Sequence, residues 1–260
     1  MRIITGFHAI EEELRVLESN LEGKNSKGKK TPLPEGLTIL YAKPGPRVKK
    51  ILELAGKLGI AAEETDPKKL DALASALPPL ARDHRGIVFQ MAHADEKAPL
   101  RLEDAIKQLA VKEKAIVIIL DSITDPHNTG AIIRSADQFG VDLVIIPEHR
   151  SATDFEVIAR TSAGASAWVP IVLATNLVRA AEQLKEAGFW LYGADAGGTP
   201  LGQLAFADKA AVVMGSEGKG IAQLLSKKCD AIVSIPTRGR LDSLNVSVAA
   251  GVILYEITRK

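Results

Sequence analysis

From residue 100 onward, short apolar runs alternate with longer amphipathic stretches, and this rhythm decides the fold class. The runs fall at 115–120, 142–147, 168–173, 190–195, 209–214 and 231–236. They are rich in Val and Ile and largely apolar, as expected of strands covered on both faces. Helical spacing is read at 100–110, 128–139, 154–162, 176–187, 219–227 and 245–258. The alternation predicts an α/β doubly wound domain around a parallel sheet. Ligands in such sheets bind outside the carboxyl ends of the strands. The unusual loops of this chain all follow such runs.

Residues 1–92 read as a smaller α/β layer. Phe7, Ile10, Leu14 and Leu17 give residues 7–19 an apolar helical face. Strands are expected at 37–42, 60–65 and 86–92, with a helix over 47–58 that ends near Gly59. Asp66-Pro67 opens a further helix, with Asp as cap and Pro in the first turn. Residues 93–98 read as a linker, which gives domains at 1–92 and 99–260.

Composition narrows the class further. The chain has 260 residues, 46% of them hydrophobic, enough for a core that needs no covalent staple. Cys229 is the single cysteine, so no intramolecular disulfide can form, which fits a reducing compartment. The five histidines are scattered without metal-ligand spacing. No apolar run is long enough to span a bilayer, and the N-terminus lacks a signal-peptide core. A cytoplasmic protein with no membrane association is expected. The net charge of +1 offers no global field for nucleic acid. One local patch stands out, Lys24, Lys27, Lys29 and Lys30 in a polar loop. It reads either as a solvated linker or as a source of phosphate contacts.

Three loops carry candidate chemistry. The first follows run 115–120: Asp125-Pro126 makes a turn, Asn128 stands at the expected helix start, and Arg134 follows within the helix. Asn128 reads as a cap or as a functional polar group, and His127 is the only near-neutral titrator. The second spans 212–221, where Gly215, Gly218 and Gly220 permit close backbone approach to a ligand. It does not fit a P-loop. Only two residues separate Gly215 from Gly218-Lys219, and Gly220 replaces the hydroxyl that would bind magnesium. Glu217 inside the loop suits a cationic or neutral polar ligand better than a triphosphate. The third runs from Ile235 into helix 245–258, with Ser243 and Asn245 at the junction. Both are favoured capping residues, so capping competes with a functional reading.

Together these loops resemble the SpoU class of RNA 2′-O-ribose methyltransferases in the SPOUT superfamily. The resemblance rests on Asp125-Pro126-His127-Asn128 through Arg134, on Met214 through Ile221, and on Ile235-Pro236-Thr237 followed by Ser243 through Gly251. The segment Thr161 to Ala165 is similar as well. Residues 1–92, with Gly6-Phe7-His8-Ala9-Ile10 near the start, resemble an RNA-binding domain of the L30e-like type. This two-domain arrangement is similar to enzymes that methylate a guanosine ribose in 23S rRNA. Thr237 departs from the Met common in relatives, and Arg238 and Arg240 make the third loop more basic.

The resemblance implies a parallel sheet with a deep trefoil knot, a homodimer, and S-adenosylmethionine as cofactor without a metal. It implies cofactor contacts from Gly215, Ile235 and Leu244, with Ala194 as a further candidate. Asn128, Arg134, Glu217, Ser243 and Asn245 are implied as the reaction site, with Glu217 holding Arg134. The lysines at 24, 27, 29 and 30, with Arg238 and Arg240, are expected to contact RNA phosphates. A tRNA substrate, a non-catalytic RNA-binding or ribosome-assembly protein, and a nucleotide-binding NTPase are the alternatives.

Overall fold

A computed structural model describes residues 1–22, 32–92, 100–149, 151, 154–241 and 243–259. In chain order its first elements are β1 (Arg2–Thr5), α1 (Phe7–Glu22), β2 (Leu37–Tyr41), α2 (Pro46–Lys57), β3 (Ala61–Glu64), α3 (Pro67–Ser75) and β4 (Ile87–Met91). Then follow α4 (Leu102–Ala110), β5 (Ala115–Leu120), α5 (Pro126–Gln138), β6 (Leu143–Pro147), α6 (Phe155–Thr161) and β7 (Ile171–Ala174). The chain closes with α7 (Leu177–Glu186), β8 (Trp190–Pro200), β9 (Lys209–Met214), α8 (Gln223–Ser226), β10 (Ala231–Ser234) and α9 (Val246–Thr258). None of the helices among the described residues is long and apolar enough to cross a membrane.

The chain divides into two compact units. The first comprises Met1–Ala98 together with Asp154–Trp168. Its sheet has the order β1-β4-β2-β3, antiparallel except for the β2–β3 pair. Ile10, Leu14 and Leu17 of α1 and Val48, Ile51 and Ala55 of α2 pack together with Ile39 and Phe89 of the sheet. At α3, the Asp66 carboxylate accepts the Lys68 N–H at 2.8 Å and Pro67 occupies the first turn, as the sequence leads one to expect. All four residues of β3 are exposed, which marks it as an edge strand.

The segment 154–168 departs from the reading of 99–260 as one domain. Val157 is buried with Ile3, Leu40 and Leu70, and Ala159 is buried with Ile4 and Ile10. Arg160 ties the segment further, its Nη2 meeting Asp83 Oδ2 at 2.6 Å. The apolar face of α6 therefore completes the core of the first unit.

The second unit comprises Pro99–Thr153 and Val169–Lys260. Its six strands are all parallel, in the order β10-β8-β9-β5-β6-β7. The central strand β5 has Val117 to Leu120 fully buried, which is why its sequence carries no polar residue. From β5 the chain builds outward through β6 and β7, then returns to lay β8, β9 and β10 on the other side. The carboxyl ends of β5, β8, β9 and β10 thus come together at the reversal, where a ligand crevice is expected.

Several boundaries differ from the periodicity. The strand expected at 168–173 begins at Ile171, because Gly164 at φ +90° opens a 3-10 turn over Ala165–Ala167. The strand expected at 190–195 continues to Pro200 through two glycines, pairing with β10 across a register shift at Ile232/Val233. The helix expected at 219–227 shortens to Gln223–Ser226, because Gly220 is held at φ +63° in a bridge with Ser216.

Candidate active site

The loop after β5 fixes the first group. Asp125 caps α5 by accepting the His127 N–H at 2.9 Å, and Pro126 fills the first turn. The helix therefore starts two residues before the expected 128, and Asn128 is not its cap. Its side chain is released for tertiary bonds. The Asn128 Nδ2 donates to Glu217 Oε1 at 3.4 Å, and its Oδ1 accepts from Asn245 Nδ2 at 2.9 Å.

Glu217 stands in the loop after β9. That loop closes on itself: Ser216 N–H donates to the Gly220 carbonyl at 3.1 Å and Gly220 N–H returns to the Ser216 carbonyl at 2.9 Å. Gly218 at φ +85° and Gly220 at φ +63° make the turn, a conformation that favours glycine. A Cβ on Gly215 would collide with the backbone of Gly220 and Ile221, so only glycine lets the two arms close.

Asn245 completes the cluster. Its Oδ1 caps α9, accepting the N–H of Ser247 at 2.9 Å and of Val248 at 3.4 Å. Its Nδ2 donates to Glu217 Oε1 at 2.9 Å. The same Glu217 oxygen accepts the Val246 N–H at 3.3 Å. A carboxylate is thus held at a helix N-terminus, where the aligned backbone dipoles favour negative charge. Glu217 Oε2 has no hydrogen bond among the described residues.

Beside this cluster lies a cavity of about 480 Å³ at the ends of β8, β9 and β10. Ala194, Gly215, Ile235 and Leu244, the four cofactor candidates, all line it. Glu217 and Ser243 line it too, whereas Asn128, Arg134 and Asn245 do not. Sequence reasoning missed Asp195, whose carboxylate accepts the Gly197 N–H at 3.0 Å on the cavity wall. Among the described residues the lining includes two carboxylates, Asp195 and Glu217, and no Lys, Arg or His. Such a wall suits a cationic ligand, and the glycine backbones allow it to approach closely.

Arg134 is exposed on α5 and makes no hydrogen bond or ion pair among the described residues. The expected Glu217–Arg134 contact is therefore replaced by Glu217 bonds to Asn128, Asn245 and Val246. Arg238 and Arg240 are exposed in the loop between β10 and α9. Lys24, Lys27, Lys29 and Lys30 lie outside the described residues. Cys229 takes no part: burial, and then the Asp230 carboxylate, push its thiol up to about 11. No group of three or more His, Cys, Asp or Glu able to hold a metal occurs among the described residues.

The profile of the SpoU rRNA Methylase family matches residues 115–255, the stretch that carries all three loops. The chain belongs to this family. A Borreliella burgdorferi protein described as a tRNA/rRNA methyltransferase is 36% identical over 86% of this chain and 98% of its own. A Bacillus subtilis protein described as a TrmH-family tRNA/rRNA methyltransferase is 38% identical over 82% of this chain and 83% of its own. Among solved structures, the SpoU methyltransferase AviRb from Streptomyces viridochromogenes superposes with a TM-score of 0.71 at 23% identity. That match covers 99% of this chain and 88% of AviRb. AviRb has also been crystallised in complex with AdoMet. Membership of the SpoU family makes the chain a methyltransferase of the tRNA/rRNA-modifying class.

Proposed function

We propose that the chain transfers a methyl group from S-adenosylmethionine to a ribose 2′-hydroxyl of RNA, with a guanosine of 23S rRNA as the target. The single observation that carries this reading is a junction. The cavity lined by Ala194, Gly215, Ile235 and Leu244 shares Glu217 with the Asn128–Asn245 cluster. A cofactor pocket thereby adjoins polar groups able to handle a hydroxyl. The cofactor fits the donor set, since it carries a sulfonium and the walls bear carboxylates without basic groups among the described residues. When bound, it supplies an electrophilic methyl group. Gly215, Ile235, Leu244 and Ala194 would hold it through backbone groups.

The protein's part is alignment and electrostatics. Aligning two reactants can contribute as much as ~7–11 kcal/mol. Asn245 and Asn128 fix one oxygen of Glu217, and the other is available to accept the ribose hydroxyl hydrogen. Ser243, exposed at the cavity, positions the ribose. Arg134 binds the neighbouring phosphate and favours the developing alkoxide through its charge and its planar donors.

The working form is a homodimer. Val248, Val252 and Tyr255 form an exposed apolar stripe on α9 at helical spacing, continuous with Phe139 after α5 through a ring contact of 6.3 Å. A second copy covers that stripe and completes the pocket around Arg134. The knot expected of the family is carried as part of the same proposal. The first unit serves as the L30e-like RNA-binding domain, and Arg238 and Arg240 reach phosphates near the site. Replacing Lys24, Lys27, Lys29 and Lys30 by Ala should weaken RNA binding and flatten its salt dependence by up to about four charges. An unchanged salt slope would remove those lysines from the interface. Deleting residues 1–92 is a poorer test, because it would strip the partners of Val157 and Ala159.

A tRNA target is the second reading, favoured by relatives described as acting on either RNA. The deciding experiment is transfer of labelled methyl from S-adenosylmethionine to rRNA and to tRNA from cells lacking this gene. Label in alkali-resistant linkages of 23S rRNA is expected. Label confined to tRNA would move the substrate, and label on a base would refute the ribose assignment.

A further inference from the structure

Asp121 is one of the few polar side chains buried in the second unit, 6% exposed, and none of the chemistry above uses it. It is the first residue after β5. Its backbone N–H donates to the Met214 carbonyl at 2.8 Å, extending the β5–β9 ladder by one bond. Its carboxylate reaches further. Oδ2 accepts the Ala222 N–H at 2.7 Å, and Oδ1 accepts the Ser122 hydroxyl at 3.0 Å. Met214 immediately precedes the glycine loop and Ala222 immediately follows Ile221 at its end. One residue therefore holds both ends of the loop that presents Gly215 and Glu217.

The loop needs such a hold. Two of its residues have positive φ, its internal bridge is a single pair of bonds, and the helix that follows, α8, has only four residues. Ser122, itself at φ +59°, turns its hydroxyl back to occupy the second carboxylate oxygen. Each oxygen of the buried acid thus has a partner within the protein.

We infer that Asp121 is a positioning residue: it clamps the glycine loop at both ends and so sets where Gly215 meets the cofactor and where Glu217 meets Asn128 and Asn245. The inference rests on the proposed cofactor cavity and deepens it. The clamp also ties the loop after β5, which leads into Asn128, to the loop that carries Glu217. Asp121 thus adds a second tie between the two loops beside the direct bonds of Asn128 and Asn245 to Glu217.

The test breaks the bond from either side. Asp121→Ala removes the acceptor. Ala222→Pro removes the donor, and Ala222 is exposed with φ −55°, a value proline adopts without strain. Each variant is expected to weaken S-adenosylmethionine binding and to slow methyl transfer by about tenfold or more. The double variant should be no worse than Asp121→Ala within about twofold, because both remove one interaction. Asp121→Asn keeps an oxygen for Ala222 and can donate to Ser122, so it should hold both constants within about threefold. Measurements are made well below the melting temperature of each variant. If Asp121→Ala or Ala222→Pro lowers the melting temperature but leaves binding and transfer unchanged, the residue is merely structural and the inference falls. It also falls if the two effects multiply. Glu217→Gln in the same assay separates the two claims. Slowed transfer there, with Asp121→Ala and Ala222→Pro unaffected, defeats the clamp alone, whereas unaffected transfer in Glu217→Gln defeats the site and the clamp with it.

Discussion

Helices α5 and α9 both begin at the carboxyl edge of the same sheet, and both bring an asparagine to Glu217, but they do so differently. At α5 the two duties are divided. Asp125 caps the helix, and Asn128, one turn later, is free to bond Glu217 and Asn245. At α9 one residue does both. Asn245 caps with its oxygen and bonds Glu217 and Asn128 with its nitrogen. Capping and tertiary bonding are therefore not rival duties of a polar residue at a helix start. The amide has two ends, and the fold can use each for a separate purpose.

The comparison is sharpest at Asn245. Asn245→Ala should lose the cap, about 1 kcal/mol, and lower the melting temperature by about 2–4 °C. It should also cut turnover by about a hundredfold, since a charge-assisted bond to Glu217 goes with it. A thermal melt beside a steady-state assay checks both; loss of only one would mean that the two duties are separable after all. Asn128→Ala should slow turnover by about tenfold, with stability within about 0.5 kcal/mol of the parent. A large drop in stability there would show that Asn128 shares the capping of α5. Asp125→Ala is the mirror case. It should cost about 1 kcal/mol of stability and leave turnover within about twofold. If turnover collapses instead, the start of α5 must be counted as part of the reaction site.

The parallel sheet was legible in the sequence because strands buried on both faces need uninterrupted apolar residues, as Ala115 to Leu120 show. The four cofactor candidates came from the resemblance rather than from any spacing along the chain; the structure adds that all four line one cavity. The start of α5 was misplaced by two residues because Asp125-Pro126 reads equally as a turn and as a cap followed by a first helical residue. The grouping of 154–168 with the first unit was not legible. Val157 and Ala159 give the same apolar pattern whichever core receives them. Strand β1, with only Arg2–Thr5, is too short for periodicity to announce. Asp195 went unremarked because nothing local says that residues 190–200 continue as a strand through Gly197 and Gly198. Last, the Asn128–Asn245 bond joins residues 117 apart, and no pattern along the chain reports such a contact.

The central claim is that Glu217, held by the two asparagines, belongs to the chemistry rather than to cofactor binding alone. Single-turnover methyl transfer by Glu217→Gln, with S-adenosylmethionine at saturation, tests it most directly. Transfer slowed by about a hundredfold or more is predicted, with cofactor affinity changed by less than about threefold. Transfer at the parent rate would contradict the account, and so would a loss confined to cofactor affinity.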